Sequence, residues 1–374
     1  MSPTSASGVG GRVVGFSDLR IWSLDSRTRL GRQLARFGAP LDQPGAARQV
    51  LLRADWVLDD ALVRGLVAAR DDVALIAPDG RCVAMSVTVS RQPEAEAALD
   101  RSEAPAEVRR ATAADLADGY NDALRKREPP FLMPLTAENL DAIERRVFGA
   151  SYKGVTDIVT LYLWPAPARA VTRWCAALGV TPNQVTSASF VLVLLAMWAF
   201  WTGHYGWGLL AAWPMTFLDT VDGKLARVTL TSSKLGNVFD HGIDLIHPPF
   251  WWWAWIVGLP AAHLPLPEPG LVLGVIVAGY VLQRIEEGIF MAGFGMDMHV
   301  WQRFDSRFRL ITARRNPNLI ILTLAVLVGR PDWGIVIVAI WVALCLLVHA
   351  LRIVQAALAR RHGPLRSWLA SSAS

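Results

Sequence analysis

Four aspartates within one short stretch are the strongest chemical signal in this sequence. Asp219 and Asp222 stand three positions apart, and Asp240 and Asp244 stand four apart, in the segment DTVDGKLARVTLTSSKLGNVFDHGID. On two helices these spacings would place each pair of carboxylates on one helical face. A short connection between the helices would then let all four carboxylates face one another.

Such a cluster needs compensating positive charge, because the flanking sequence is apolar. One charged side chain at the centre of a bilayer costs about 2.5–3.5 kcal/mol, and neighbouring carboxylates also repel one another. Lys224, Arg227 and Lys234 supply part of the compensation. Hard divalent cations, which prefer oxygen ligands, would supply more. The pattern therefore predicts Mg²⁺ or Mn²⁺ held for phosphate chemistry at a membrane interface.

The order of these residues resembles the signature of the CDP-alcohol phosphatidyltransferase family, D-x2-D-G-x2-A-R-x8-G-x3-D-x3-D. Every fixed position and every spacing of that pattern is present between Asp219 and Asp244. The TPNQVT segment at 181–186 is also similar to this family. The resemblance covers about residues 150–360.

The resemblance implies a reaction and a role for each matching residue. The reaction moves a phosphoalcohol from a CDP-linked donor to a hydroxyl acceptor and releases CMP. Asp219, Asp222 and Asp240 would bind the metal that holds the CDP diphosphate. Asp244 would contribute to a second metal and act as the general base, so Asp240 and Asp244 are the predicted catalytic residues. The implied CDP-binding positions are Asn183, Thr186, Gly223, Ala226, Arg227 and Gly236. The resemblance also implies a homodimer.

A second polar cluster lies C-terminal to the signature. Arg284, Glu286 and Glu287 stand near the end of the apolar segment 270–292, and Arg314 and Arg315 stand just before the apolar segment 316–330. Arg314 and Arg315 suit an anion pocket for a phosphorylated acceptor. They are equally explained as basic residues that set membrane topology or contact lipid headgroups.

Composition separates the chain into two parts. Overall, 53% of the 374 residues are hydrophobic and 18% are charged, against about 25% charged in soluble domains. Residues 1–150 hold 20 basic and 21 acidic residues, whereas residues 151–374 hold 17 and 11. The second part has long apolar runs flanked by basic clusters, so we expect a polytopic membrane domain and no nucleic-acid partner.

The sequence predicts six membrane-spanning helices after an amphipathic juxtamembrane segment at 155–179. The predicted spans are roughly 186–205, 207–228, 238–260, 270–292, 316–330 and 333–357. Basic residues concentrate after the second, fourth and sixth spans, so we expect both termini and the active site on the cytoplasmic side of the cell (inner) membrane. The tryptophans at 251, 252, 253 and 255 fit an aromatic belt at the membrane interface.

Residues 1–150 alternate short β-branched runs with helical patterns, which predicts a small soluble α/β domain. Strands are expected at 73–77 and 82–89, and helices at 25–38 and 59–71. The domain resembles a degenerate nucleotidyltransferase, as in bifunctional inositol-phosphate cytidylyltransferase/di-inositol-phosphate-phosphate synthase fusions, with Asp55 at the metal-binding position. The glycine-rich segment 8–16 precedes the first expected strand and lacks a following Pro-Lys, which argues against catalysis there.

The sequence leaves several alternatives open. A bifunctional enzyme would also make its CDP-alcohol in the N-terminal domain. A membrane transporter would use the aspartates as a salt-bridged helix pair, and a membrane anchor would have no reaction. The alcohol carried by CDP and the alcohol that accepts it, phosphorylated or free, small or lipid, are not determined by the sequence.

Overall fold

The computed structural model describes residues 8–232 and 234–371, with the side chains of 233–241 and 371 outside the description. These residues divide into two compact units. The first comprises 8–121, 127–152 and the short segment 227–230. The second comprises 122–126, 153–226 and the described residues from 231 onwards.

The strands all lie in the N-terminal part of the described chain. They are β1 Val9–Val14, β2 Arg20–Ile21, β3 Leu24–Asp25, β4 Arg48–Arg53, β5 Trp56–Leu58, β6 Val73–Ile76, β7 Cys82–Thr88, β8 Arg109–Ala111, β9 Tyr120–Asn121, β10 Lys126–Arg127 and β11 Leu132–Pro134. Five of them form a mixed sheet in the order β1-β4-β7-β6-β8, in which β1/β4 and β6/β8 are parallel pairs. The predicted strands at 73–77 and 82–89 are thus confirmed as β6 and β7.

Five helices accompany the strands in this part of the chain. They are α1 Ser26–Arg36, α2 Asp60–Ala68, α3 Gln92–Asp100, α4 Ala113–Leu116 and α5 Leu140–Ala150. Successive residues of β4 alternate between the two faces of the sheet. Val50 and Leu52 pack with residues of α1 and α2, and Leu51 packs with residues of α3. The sheet is therefore covered on both faces, and the predicted α/β domain is confirmed.

One expectation about this unit is wrong. The glycine-rich segment at 8–16 does not precede the first strand, because β1 itself spans Val9–Val14. Gly10 and Gly11 lie within β1, and a side chain on Gly11 would meet the Ala39 carbonyl oxygen at 2.5 Å. Close packing next to the strand therefore explains Gly10 and Gly11.

The second unit contains the long helices. They are α6 Pro165–Ala177, α7 Pro182–Trp201, α8 Tyr205–Val228, α9 Lys234–Gly258, α10 Pro269–Phe294, α11 Arg303–Phe308, α12 Arg315–Leu327, α13 Pro331–Arg360 and α14 Trp368–Ser371. The last two residues of α8, Arg227 and Val228, lie in the first unit. A π-helical turn at Val159–Leu163 precedes α6, so the predicted juxtamembrane segment is helical for most of its length.

Three of these helices are long and apolar enough to cross a membrane among the described residues: α7, α10 and α13. α12 is apolar but shorter, with 13 residues. α8 and α9 have 24 and 25 residues but carry the signature aspartates and other polar groups. Three membrane spans are thus supported by length and composition, and the other three of the six expected spans stay a prediction.

The expected aromatic belt is wrong for three of its four tryptophans. Trp251, Trp252 and Trp255 are at most 5% exposed and lie in the main apolar core of the second unit. Only Trp253 is exposed, and it packs edge-on against Trp201. Residues 251, 252 and 255 share one face of α9, because positions three and four apart align on a helix. That face packs inward against the other helices.

Candidate active site

The first turns of α7 supply a hydroxyl that contacts the second signature aspartate. Thr181 and Gln184 form a capping box, with the Thr181 N–H donating to Gln184 Oε1 at 2.8 Å. This box fixes where the helix begins. One turn later the Thr186 hydroxyl donates to Asp222 Oδ2 at 2.6 Å. Asp222 is buried, so this hydrogen bond offsets part of the desolvation cost of its carboxylate.

Two other signature aspartates, from different helices, meet at one arginine. Asp219 of α8 and Asp244 of α9 each form an ion pair with Arg315, the first residue of α12. One terminal nitrogen of the guanidinium, Nη2, donates to Asp219, and the other, Nη1, donates to Asp244. Asp219 and Arg315 have side chains at most 17% exposed, whereas the Asp244 side chain is 39% exposed. Asp244 is therefore the more accessible of the two carboxylates.

The helix that carries Asp244 is fixed by hydrogen bonds from aromatic side chains. The Tyr280 hydroxyl of α10 donates to the carbonyl oxygen of Leu245, the residue after Asp244, at 3.0 Å. The Trp251 indole N–H donates to Val193 O of α7 at 3.0 Å. Buried phenol and indole groups need such partners. These bonds hold α9 against α7 and α10 close to Asp244.

The aspartates suit a hard cation in chemistry. Among residues with described side chains, no group of three or more His, Cys, Asp or Glu is placed to hold a metal ion; Asp240 lies outside that set. Asp219, Asp222 and Asp244 offer only carboxylate oxygens, the ligands that Mg²⁺ and Mn²⁺ prefer. The shared guanidinium of Arg315 indicates that Asp219 and Asp244 approach closely enough to share one positive charge. The donor set therefore fits a divalent cation.

Arg314, predicted with Arg315 to bind an acceptor, has a carboxylate partner. It is the residue before α12 and forms an ion pair with Glu287 of α10. Glu287 also contacts Arg284 and His299, each at 3.3 Å. The Glu287 carboxylate thus contacts three basic side chains. The buried Nε atoms of Arg314 and Arg315 have no hydrogen-bond partner within the described part of the chain.

The remaining predicted site residues lie on the same three helices. Asn183 is exposed in the first turn of α7, and Arg227 lies in the last turn of α8. Gly223 and Ala226 also belong to α8. Gly236 and Asp240 fall within α9, at positions whose side chains are outside the described set. The structure thus brings Asp219, Asp244 and Arg315 together, and separately brings Thr186 to Asp222.

One polar contact near the site was not predicted. Asp157, before α6, accepts from the Asn316 side-chain amide at 3.0 Å and from the Thr160 hydroxyl at 2.8 Å. Asn316 directly follows Arg315 and is buried. Asp157 therefore helps to fix the start of α12 and with it Arg315. The available signal was the polar RRNPN segment at 314–318 ahead of an apolar helix.

The aspartates of the first unit have structural partners. Asp59 caps α2 by accepting from the Ala61 N–H at 2.9 Å, and burial raises its pKa above the ordinary value. Asp60 accepts from Gln33 at 2.8 Å. Asp55, at the position that the nucleotidyltransferase resemblance gives to a metal ligand, forms an ion pair with Arg53 at 2.7 Å.

A model of the CDP-alcohol phosphatidyltransferase family matches residues 179–305. The match includes α7, α8, α9 and α10, and with them all four signature aspartates. It ends before Arg314 and Arg315. The family resemblance of this segment is therefore independent of the residue that joins Asp219 to Asp244.

Three curated proteins illustrate what this segment is similar to. An archaetidylinositol phosphate synthase of Pyrococcus horikoshii is 37% identical over 78 residues, covering 21% of this chain and 42% of that protein. A phosphatidylinositol phosphate synthase of Mycobacteroides abscessus is 33% identical over 124 residues, covering 32% and 56%. A cholinephosphotransferase 1 of Xenopus laevis is 30% identical over 144 residues, covering 34% of each chain. The chain spans less than two thirds of the length of each.

Proposed function

We propose that the CDP-alcohol phosphatidyltransferase domain at residues 179–305 makes this chain a membrane transferase. It moves a phosphoalcohol group, of phosphatidyl or phosphoinositol type, from a CDP-alcohol donor to a hydroxyl acceptor and releases CMP. Such a reaction belongs to phospholipid or polyol-phosphate synthesis. The observation that carries the proposal is the meeting of Asp219 and Asp244, from two helices of one signature, at a single positive charge.

The donor side of the site is proposed to lie along α8 and the start of α7. Arg227 would pair with the diphosphate, because a planar guanidinium matches phosphate oxygens in pairs. Gly223, Ala226 and Gly236 would leave room for the nucleotide to approach the backbone. Asn183 and Thr186 would lie near the nucleotide. The contact between Thr186 and Asp222 supports this, because it joins the 181–186 segment directly to the signature.

A divalent cation, Mg²⁺ or Mn²⁺, is proposed to bind Asp219, Asp222, Asp240 and Asp244. When bound, the cation would neutralise the diphosphate and favour the departure of CMP as the leaving group. The all-carboxylate donor set supports this cation, as does the single guanidinium that Asp219 and Asp244 share. Asp222 would keep its hydrogen bond from Thr186, which orients one carboxylate oxygen.

The acceptor side is proposed to involve Asp244, Asp240, Arg314 and Arg315. Asp244 would take the proton from the acceptor hydroxyl as that oxygen attacks phosphorus, and its exposed carboxylate supports this role. Arg315 would bind the phosphate of a phosphorylated acceptor through a guanidinium that lies beside Asp244. Arg314 would contribute from the same turn, with Glu287 holding its side chain in place.

The N-terminal unit is proposed to be a degenerate nucleotidyltransferase-like domain without catalysis of its own. Asp55, Asp59 and Asp60 have structural partners, and Gly10 and Gly11 of the glycine-rich segment belong to strand β1. These contacts support a structural role over a bifunctional enzyme that makes its own donor. A chain of six spans, with both termini and the site on the cytoplasmic side of the cell membrane, and a homodimer complete the proposal.

The proposal is tested by measuring CMP release from the purified full chain in liposomes with Mg²⁺. CDP-diacylglycerol and CDP-inositol are each offered against phosphorylated and free alcohols, with Asp240→Ala as the blank. Acceptor-dependent CMP release identifies the substrate pair. CMP release without an acceptor, or none with any pair, contradicts transfer to these alcohols. A further arm with CTP and inositol phosphate tests the bifunctional alternative, which predicts pyrophosphate release.

A further inference from the structure

The last turn of α8 ends in carbonyl oxygens that need donors from outside the helix. The final four carbonyl groups of any α-helix lack a partner within it. Here the Thr231 N–H donates to Ala226 O at 2.9 Å. The Leu230 N–H faces Arg227 O at 3.4 Å, and Leu230 adopts a left-handed φ of 54°. This Schellman-type ending satisfies two of the four carbonyls.

The other two carbonyls are bound by arginines of α1. Arg29 Nη1 donates to Val228 O at 3.1 Å, and Arg32 Nη1 donates to Thr229 O at 2.6 Å. The segment 227–230 and α1 belong to the same compact unit. Arg227 belongs both to this segment and to the signature, and Val228 is the last residue of α8. The arginines of α1 therefore cap the C-terminus of α8.

Arg29 is buried at this position, with only 5% of the residue exposed. Burial lowers the pKa of its guanidinium to about 10, and the charges of Asp60 and Glu144 oppose this change. Burying a guanidinium is costly unless it is hydrogen-bonded. Positive charge at a helix C-terminus is also favourable, because the unpaired carbonyls carry partial negative charge. Both effects favour Arg29 at the end of α8.

We propose that Arg29 and Arg32 are positioning residues for the donor site, acting through the end of α8. Arg227, which the proposed function assigns to the diphosphate, directly precedes Val228. If Arg29 and Arg32 no longer donate to the carbonyls of Val228 and Thr229, the last turn loosens and Arg227 is held less firmly in its orientation. The N-terminal unit then has a function that needs no catalysis of its own. The inference rests on the proposed function for its effect on the donor.

The test compares three double variants of the full chain in liposomes. Arg29→Ala/Arg32→Ala removes both donors. Arg27→Ala/Arg36→Ala is the matched control, because these arginines of the same helix pair with the carboxylates of Asp42 and Asp60. Arg29→Lys/Arg32→Lys keeps charge and donors. Donor KM, acceptor KM and amide hydrogen exchange over residues 226–231 are measured in each.

The expected result is selective. Removing both donors should raise donor KM about tenfold, leave acceptor KM within about threefold and speed amide exchange at 226–231. The matched control should leave all three quantities unchanged, and the lysine variant should recover part of the donor KM.

Two results would overturn the inference. Unchanged exchange in the variant without donors would show that the cap is not formed by these arginines. Faster exchange with an unchanged donor KM would show that the cap does not position the donor site. Absence of CMP release in the wild-type chain would instead contradict the proposed function, and CDP affinity would then replace donor KM as the readout.

Discussion

Two helix-capping aspartates of the first unit and the signature aspartates of the second unit have different kinds of partner. In the first unit, Asp25 and Asp59 precede helices and accept hydrogen bonds from backbone N–H groups of the first turn. In the second unit, Asp219, Asp222 and Asp244 lie inside helices, where the backbone N–H groups are already bonded. Their carboxylates are contacted by Arg315 and Thr186, which come from other helices.

The difference between these aspartates indicates which of them are candidates for binding a ligand. A capping aspartate has its partner within three residues, and local folding explains it fully. An aspartate buried inside a helix costs free energy unless another charge or donor reaches it. Such a residue is retained either for a long-range structural contact or for a ligand. Metal removal and three substitutions separate these two reasons.

Metal removal should affect the second unit alone. We expect a chelator to lower CMP release by roughly 100-fold or more, because the diphosphate would lose its neutralising charge. Mg²⁺ or Mn²⁺ in excess should restore the rate. The sheet of the first unit, followed by circular dichroism, should not change. Full activity in chelator would remove the metal from the proposed site.

Replacing the proposed base should separate reaction from binding. Asp244→Asn should lower kcat by about 10²–10⁴-fold, since the amide cannot accept the acceptor's proton, and should leave donor affinity nearly intact. The matched change in the first unit, Asp59→Asn, should leave kcat unchanged, because asparagine caps a helix as well as aspartate does. Normal turnover by Asp244→Asn would sink the assignment.

Arg315 has two proposed partners, and its replacement distinguishes them. Arg315→Ala should raise the KM of a phosphorylated acceptor about tenfold or more, because a paired guanidinium contact to phosphate is lost. Donor KM should change far less. Arg330→Ala, which removes an arginine paired with Asp332, serves as the control. Equal increases in both KM values would mean that Arg315 acts mainly as the counter-ion of Asp219 and Asp244.

The smallest expected effect concerns the contact between α7 and α8. Thr186→Val removes the hydroxyl that donates to Asp222 and keeps the side-chain shape. A hydrogen bond to a charged group contributes about 1.5–3 kcal/mol. Since only part of this reaches the bound donor, we expect donor KM to rise about fivefold. Thr202→Val, which removes a hydroxyl bonded to Trp198 O at the end of α7, should have no such effect.

Elements whose signals are local could be predicted from the sequence. The spacing of the signature predicted two helices with aspartates on defined faces, and alternating apolar runs predicted β6 and β7. Both follow from helical and strand periodicity, which needs only neighbouring residues. The signature between Asp219 and Asp244, on which the family resemblance rests, is also a pattern of local spacing.

Contacts between residues distant in the chain could not be predicted from the sequence and were found in the structure. Arg315 is 71 positions from Asp244 and 96 from Asp219, and the sequence placed it in an acceptor pocket without these partners. The sequence likewise did not predict that Trp251, Trp252 and Trp255 are buried. It also did not predict that Arg29 and Arg32 cap α8. Periodicity fixes which face of a helix a residue occupies, but packing of distant helices fixes what that face contacts.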